Sequence, residues 1–98
     1  MLFAITFTVT DASEEGLARN LKLFTEWQPP QGLEFKAFYS WANSNGGIAI
    51  AEVSSAAALL EATAAFAPYL SFEAVPIVEQ TEAVGLFQRS IAFRDSVR

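Results

Sequence analysis

The chain has no cysteine, and with that residue go disulfides, thiolate nucleophiles and sulfur ligands for a metal. Nothing in it calls for an oxidising compartment. Histidine is absent as well, and charge is scarce: 17% of residues are charged, the net charge is −5 and the pI is near 4.5. So acidic a chain lacks the cationic footprint that a phosphate backbone demands, which argues against nucleic acid as a partner. No apolar run reaches the roughly 18 to 20 residues that a bilayer span requires, so no membrane partner is expected. The sequence opens on an apolar strand pattern rather than a basic stretch and a cleavage site. No signal peptide is therefore expected, and the cytoplasm is the expected location.

What the chain has in excess is apolar residues, 52% of its 98 positions. A domain this small exposes much of its surface, so that excess predicts burial of some of it against a second subunit.

The pattern is organised around residues 33–53, where LEFKAFYSWA and GIAIAEV flank Asn43-Ser44-Asn45-Gly46-Gly47. This reads as a β-hairpin whose Asn-Gly supplies the positive φ angles of a tight turn. Its first strand places Leu33, Phe35, Ala37, Tyr39 and Trp41 on one face, with Phe38 interrupting a polar opposite face. Its second strand is apolar on both faces, as an interior strand is.

Ahead of the hairpin, residues 2–9 alternate with period two, Phe3, Ile5, Phe7 and Val9 sharing a face. A helix follows, capped either by an Asp11/Glu14 box or by Ser13, with Leu17, Leu21 and Phe24 as its apolar stripe. Trp27 stands at its end, and Pro29-Pro30 stops it.

Behind the hairpin, Ser54 or Ser55 caps an alanine-rich helix with Leu59, Thr63 and Phe66 along it. With Glu61 its only charge, this helix is expected to be packed on more than one side, and Pro68 to end it. A strand over 70–78 contains Pro76, which assigns it to a sheet edge. Thr81 then caps a third helix with Val84, Phe87 and Ile91 on one face and Arg89, Arg94 and Arg98 toward its end.

The order β-α-β-β-α-β predicts an α+β, ferredoxin-like domain over residues 1–80, with an antiparallel sheet in order 4-1-3-2 and a helical tail over 81–98. Both main helices lie on one face of such a sheet. The other face is apolar whichever parity it takes, so a homodimer through that open face is expected.

The start MLFAITFTV, the segment Phe24-Thr25-Glu26-Trp27 before Pro29-Pro30-Gln31-Gly32, the hairpin with Trp41 and Gly46-Gly47, and the run from Phe66 through Phe72-Glu73-Ala74-Val75-Pro76-Ile77-Val78 resemble the small bacterial DUF3303 family. That family is similar to the dimeric α/β barrel superfamily. The resemblance, over residues 1–80, implies a fold and a dimer of two face-to-face sheets, and no activity.

Trp27, Tyr39, Trp41 and Asn43 form the one aromatic and polar set that could shape a site, a pocket for a small apolar ligand oriented by a Tyr hydroxyl or an Asn amide. Two functions are weighed. The first is a non-catalytic small-ligand-binding or interaction module. The alternative is a cofactor-independent enzyme, oxygenase- or isomerase-like, acting on a small aromatic or carbonyl compound at those four residues, because some dimeric barrels that oxidise aromatics without a metal use such a Trp, Tyr and Asn. The bland reading of the same rings is core and interface filling.

Glu52 would be a general base only if burial raised its pKa, and a strand-terminal Glu usually reaches solvent instead. Glu34 and Lys36 read as charges that blunt an edge strand. Asn45-Gly46-Gly47 opens no helix and so is no phosphate cradle. The tail arginines suit a helix C-terminus. Paired cysteines for metal chaperoning, a histidine for haem, and basic aromatic inner strands for RNA are all missing, and no cofactor or metal is expected.

Overall fold

The computed structural model describes residues 1–97. In chain order the elements are β1 (Leu2–Val9), α1 (Glu14–Glu26), β2 (Leu33–Ser40), β3 (Gly46–Val53), α2 (Ala56–Ala64), β4 (Leu70–Pro76) and α3 (Gln80–Ser96). The four strands form one antiparallel sheet in the order β2-β3-β1-β4, the ferredoxin-like arrangement. Ala49, Ala51 and Val53 of β3 are buried at its centre, and β4 lies at the edge with Pro76 as its last residue. There the missing N–H costs no interior ladder bond.

The core lies on the helix side of the sheet. Ile5, Leu33, Ala49, Ala51 and Val53 meet Ala58 and Ala62 of α2, with Phe3, Trp27, Phe35, Leu59 and Phe72 packed around them. Alanines on both facing surfaces let α2 approach β3 closely. That close approach is confined to one side: Leu60 is 68% exposed, so α2 is not covered on a second side as its composition predicted. The helix ends at Ala64, four residues before Pro68, in a run of turns through which the Tyr69 and Leu70 amides both reach the Phe66 carbonyl.

Three helix starts follow local side-chain chemistry. Ser13 caps α1 by accepting from the Gly16 amide at 3.0 Å, and Asp11 in turn accepts from the Ser13 hydroxyl and amide. A Cβ at Gly16 would meet the Asp11 carboxyl group, which would have to shift out of its hydrogen bonds to Ser13. Ser55 caps α2 through the Ala58 amide. The cap of α3 is Glu79 rather than Thr81, its carboxylate accepting from the Thr81 and Glu82 amides. A carboxylate two positions upstream outcompetes a hydroxyl because its charge also answers the positive end of the helix.

Two expectations about the hairpin are corrected. The left-handed residue is Ser44, φ 66°, and not Asn45, whose amide instead donates to its neighbour Asn43 Oδ1 at 3.0 Å. Gly46, φ 151°, is needed because the Phe7 carbonyl occupies the space a Cβ would take. The second correction concerns β2. Phe35 pairs with Ala51 and Ala37 with Ile50, so Lys36 is an extra residue, a β-bulge. Leu33 and Phe35 therefore face the helices, whereas Ala37 and Tyr39 face the other way, and the five odd-numbered residues do not share a face. Phe38, out of phase in the sequence, is brought onto the helix side by the same bulge.

The other sheet face carries Leu2, Ala4 and Thr6 of β1, opposite Glu52, Ile50 and Ile48 of β3, with Ala37, Tyr39, Glu73 and Val75 on the flanking strands. No element among the described residues covers it. Helix α3 buries none of its residues and extends the molecule to 61 × 30 × 19 Å. The radius of gyration, 17.6 Å, is well above the about 13 Å of a compact chain of this length.

Candidate functional site

Helix α1 is held at its start by the Asp11–Ser13–Gly16 cap and at its end by aromatic rings. Trp27 lies 5.2 Å from Phe66, centroid to centroid and edge to face, and 6.1 Å from Phe35. Phe24 meets Phe38 at 5.6 Å and Phe66 at 6.3 Å. These bulky rings stand between α1 and the sheet and keep the helix from closing down on it. Its stripe consequently stays half out of the core, with Leu17 45% and Leu21 64% exposed.

The space left beneath α1 is a cavity of about 240 Å³. Ile5, Phe7, Leu33, Phe35, Phe38, Ala49 and Phe72 form its floor on the sheet. Leu17, Asn20, Leu21, Phe24 and Trp27 form one wall, and Leu59, Ala62, Thr63 and Phe66 the other. At ~24 cal/mol per Å³, an enclosed void of that volume would cost on the order of 6 kcal/mol. The cavity is open to solvent beside Leu17, Leu21 and Phe24, so only part of that cost applies, and an apolar occupant would recover it by covering their side chains. An apolar cavity of about 150 Å³ already suffices for benzene.

The polar groups on the lining are few and neutral. The Thr63 hydroxyl is satisfied by the Leu59 and Leu60 carbonyls of its own helix. Asn20 differs: its Oδ1 is shut off from solvent and has no hydrogen-bond partner. A buried acceptor left unpaired costs about 1–3 kcal/mol, and the same closure shuts Oδ1 off from the cavity, so a ligand's donor reaches it only when the amide turns. None of the lining side chains is an acid, a base or a histidine.

Of the four residues singled out in the sequence, only Trp27 lines this cavity. Tyr39 points to the open sheet face and is 66% exposed, Trp41 is 41% exposed at the start of the hairpin loop, and Asn43 is spent on the turn. The structure does not bring them together. Asn20, Phe24, Phe35, Phe38 and Phe66 were missed, although Asn20 lies on the Leu17–Leu21–Phe24 stripe at helical spacing, a polar residue on an apolar face.

Glu52 is exposed and bonds the Met1 amine at 2.6 Å, and Lys36 bonds Glu34 at 3.2 Å beside the bulge. Both hold surface charges, as their strand positions indicated. Asp11 is the group held below its ordinary value of 3.8, by the Ser13 hydroxyl first and the Ser13 amide second. Among the described residues no group of three or more Asp, Glu, His or Cys side chains is placed to hold a metal. No helix among them is long and apolar enough to cross a membrane. Arg98 lies outside the described residues.

Fold and cavity together define a ferredoxin-like α+β domain with an aromatic-walled chamber between its helices and its sheet. The chain belongs to the DUF3303 family, a domain of unknown function whose family model matches residues 1–91. The match extends past residue 80, where the resemblance read from the sequence stopped, and takes in most of α3. No curated protein matches significantly.

Proposed function

We propose that this protein is a small-ligand-binding module whose cavity takes a compact aromatic compound bearing one hydrogen-bond donor. The observation that carries this reading is the 240 Å³ chamber walled by Phe24, Trp27, Phe35, Phe38 and Phe66, where Asn20, Ser40 and Thr63 are the polar residues and Asn20 Oδ1 is unpaired just behind the wall. Rings on the wall favour a flat apolar ligand by edge and face contacts, and the amide favours one with an N–H or O–H.

Calorimetry with indole and with indene, its analogue lacking the N–H, tests this. Indole is expected to bind about tenfold or more tightly than indene, and Asn20→Leu to bring the two together. Equal binding of both by the unaltered protein would remove the donor from the account, and binding of neither at millimolar concentration would remove the ligand.

The same reading includes a homodimer through the open sheet face and a place in the cytoplasm. The dimer is supported by Leu2, Ala4, Ile48, Ile50, Tyr39 and Val75, an apolar surface that no element among the described residues covers. The cysteine-free composition supports the location.

A further inference from the structure

Helix α3 has 17 residues, none of them buried. An isolated helix of that length is marginal in water, so its stability has to come from packing. Its apolar residues lie on two sides rather than one: Val84, Phe87 and Ile91 on one, and Leu86 and Phe93 roughly 140° around the axis, at 100° per residue. A helix with apolar residues on two sides needs cover on both. It is about 25 Å long, and the 61 Å length of the molecule accommodates such a helix lying away from the core.

From these observations we infer that α3 is an arm exchanged between two copies of this chain, its Val84/Phe87/Ile91 stripe lying on the open sheet face of the twin. The inference rests on the homodimer reading above and names what covers the sheet. Size supports a second copy as the occupant. Four strands about 4.8 Å apart and seven residues long project roughly 450 Å², short of the about 800 Å² that each side of a stable interface contributes. Adding α3 brings each copy toward that range. A two-fold relation then puts Leu86 and Phe93 of the two arms beside each other, and covers both sides of the helix at once.

Charge is complementary as well. On the open face Glu34 and Glu52 stand directly opposite each other on neighbouring strands, and Glu73 lies on β4. Glu34 is paired with Lys36 and Glu52 with the Met1 amine, which leaves Glu73 as the open-face carboxylate without a cation among the described residues. Among the described residues neither arginine of α3 has an acidic partner. Arg94 falls beside the Phe87/Ile91 stripe, where docking would bring it to the twin's carboxylates. For a chain of net charge −5, cations on the arm also offset the repulsion between copies.

The test is photo-crosslinking from p-benzoylphenylalanine placed at Phe87, in a dimer reassembled from equal parts of ¹⁴N- and ¹⁵N-labelled full-length chain, with native mass spectrometry of the same sample. The expected result is a doubled mass, with adducts on open-face peptides of β1 or β3 and about half of them joining chains of different label. Ile91→Glu is expected to abolish the dimer while shifting thermal unfolding of the monomer by only a few degrees, because Ile91 touches nothing in its own domain's core. A dimer whose adducts stay within one chain, or that forms no adduct on the sheet, overturns the exchanged arm but leaves the dimer standing. A bare monomer overturns both.

Discussion

The rings of Phe35 and Phe38 meet 4.9 Å apart on the helix side of β2, three positions apart in a strand where three positions should mean opposite faces. The bulge at Lys36 accounts for the reversal, and without it Phe38 would lie on the open face and the cavity would lose part of its floor. Deleting Lys36 removes the extra residue but leaves Phe35, Ala37 and Phe38 facing as they do now. We therefore predict that the deletion variant folds, with a stability within about 1 kcal/mol of the parent by urea titration. A collapse of the fold would mean that the bulge is needed for more than phase.

Filling the chamber should separate stability from binding. Ala62 is 7% exposed and stands on the cavity wall. Ala62→Leu adds apolar volume where there is room, so its melting temperature is expected to equal or exceed the parent's, while affinity for indole falls by about tenfold or more. A large loss of stability would show the wall to be already packed.

Asn20→Leu removes the unpaired acceptor and replaces it with an apolar side chain of similar volume. The ligand-free protein should gain about 1 kcal/mol in denaturant titration, the sign opposite to that of most core substitutions. A net loss would indicate that the amide is satisfied in solution.

The Asp11 cap predicts a pH dependence. Its folded pKa lies below the ordinary 3.8, so the stabilisation it gives is fully present above that value and lost as pH falls through the lower folded pKa. The stability gap between the parent and Asp11→Asn should be constant from pH 7 to about pH 5 and shrink on further acidification. A gap that grows in acid would reverse the sign and refute the cap.

Much of this architecture was legible because it rests on alternation. Ala49, Ala51 and Val53 announced an interior strand, Pro76 an edge, and Leu17, Leu21 and Phe24 a helix face turned to the sheet. The bulge was not legible: one extra residue leaves no mark in composition, and Phe38 merely looked out of phase. Nor was the chamber, since the stripe on α1 reads the same whether the helix closes on the sheet or is propped off it by Trp27 and Phe24. Tyr39 and Trp41 were grouped with Trp27 and Asn43 as the one aromatic and polar set; the bulge turns Tyr39 to the open sheet face, away from the chamber that Trp27 lines. Of the four, Trp27 lines the chamber, together with Asn20.

The most direct test of the central claim is an indole titration of ¹⁵N-labelled protein followed by amide chemical shifts. Binding in the chamber predicts saturable shifts in residues 17–27 of α1 and the turn that ends it, in residues 59–66 of α2 and the turn after it, and in the floor residues Ile5, Phe35 and Ala49, with the amides of Phe87 and Ile91 on α3 unmoved. Shifts confined to α3 or the sheet edge, or none at millimolar indole, would contradict it.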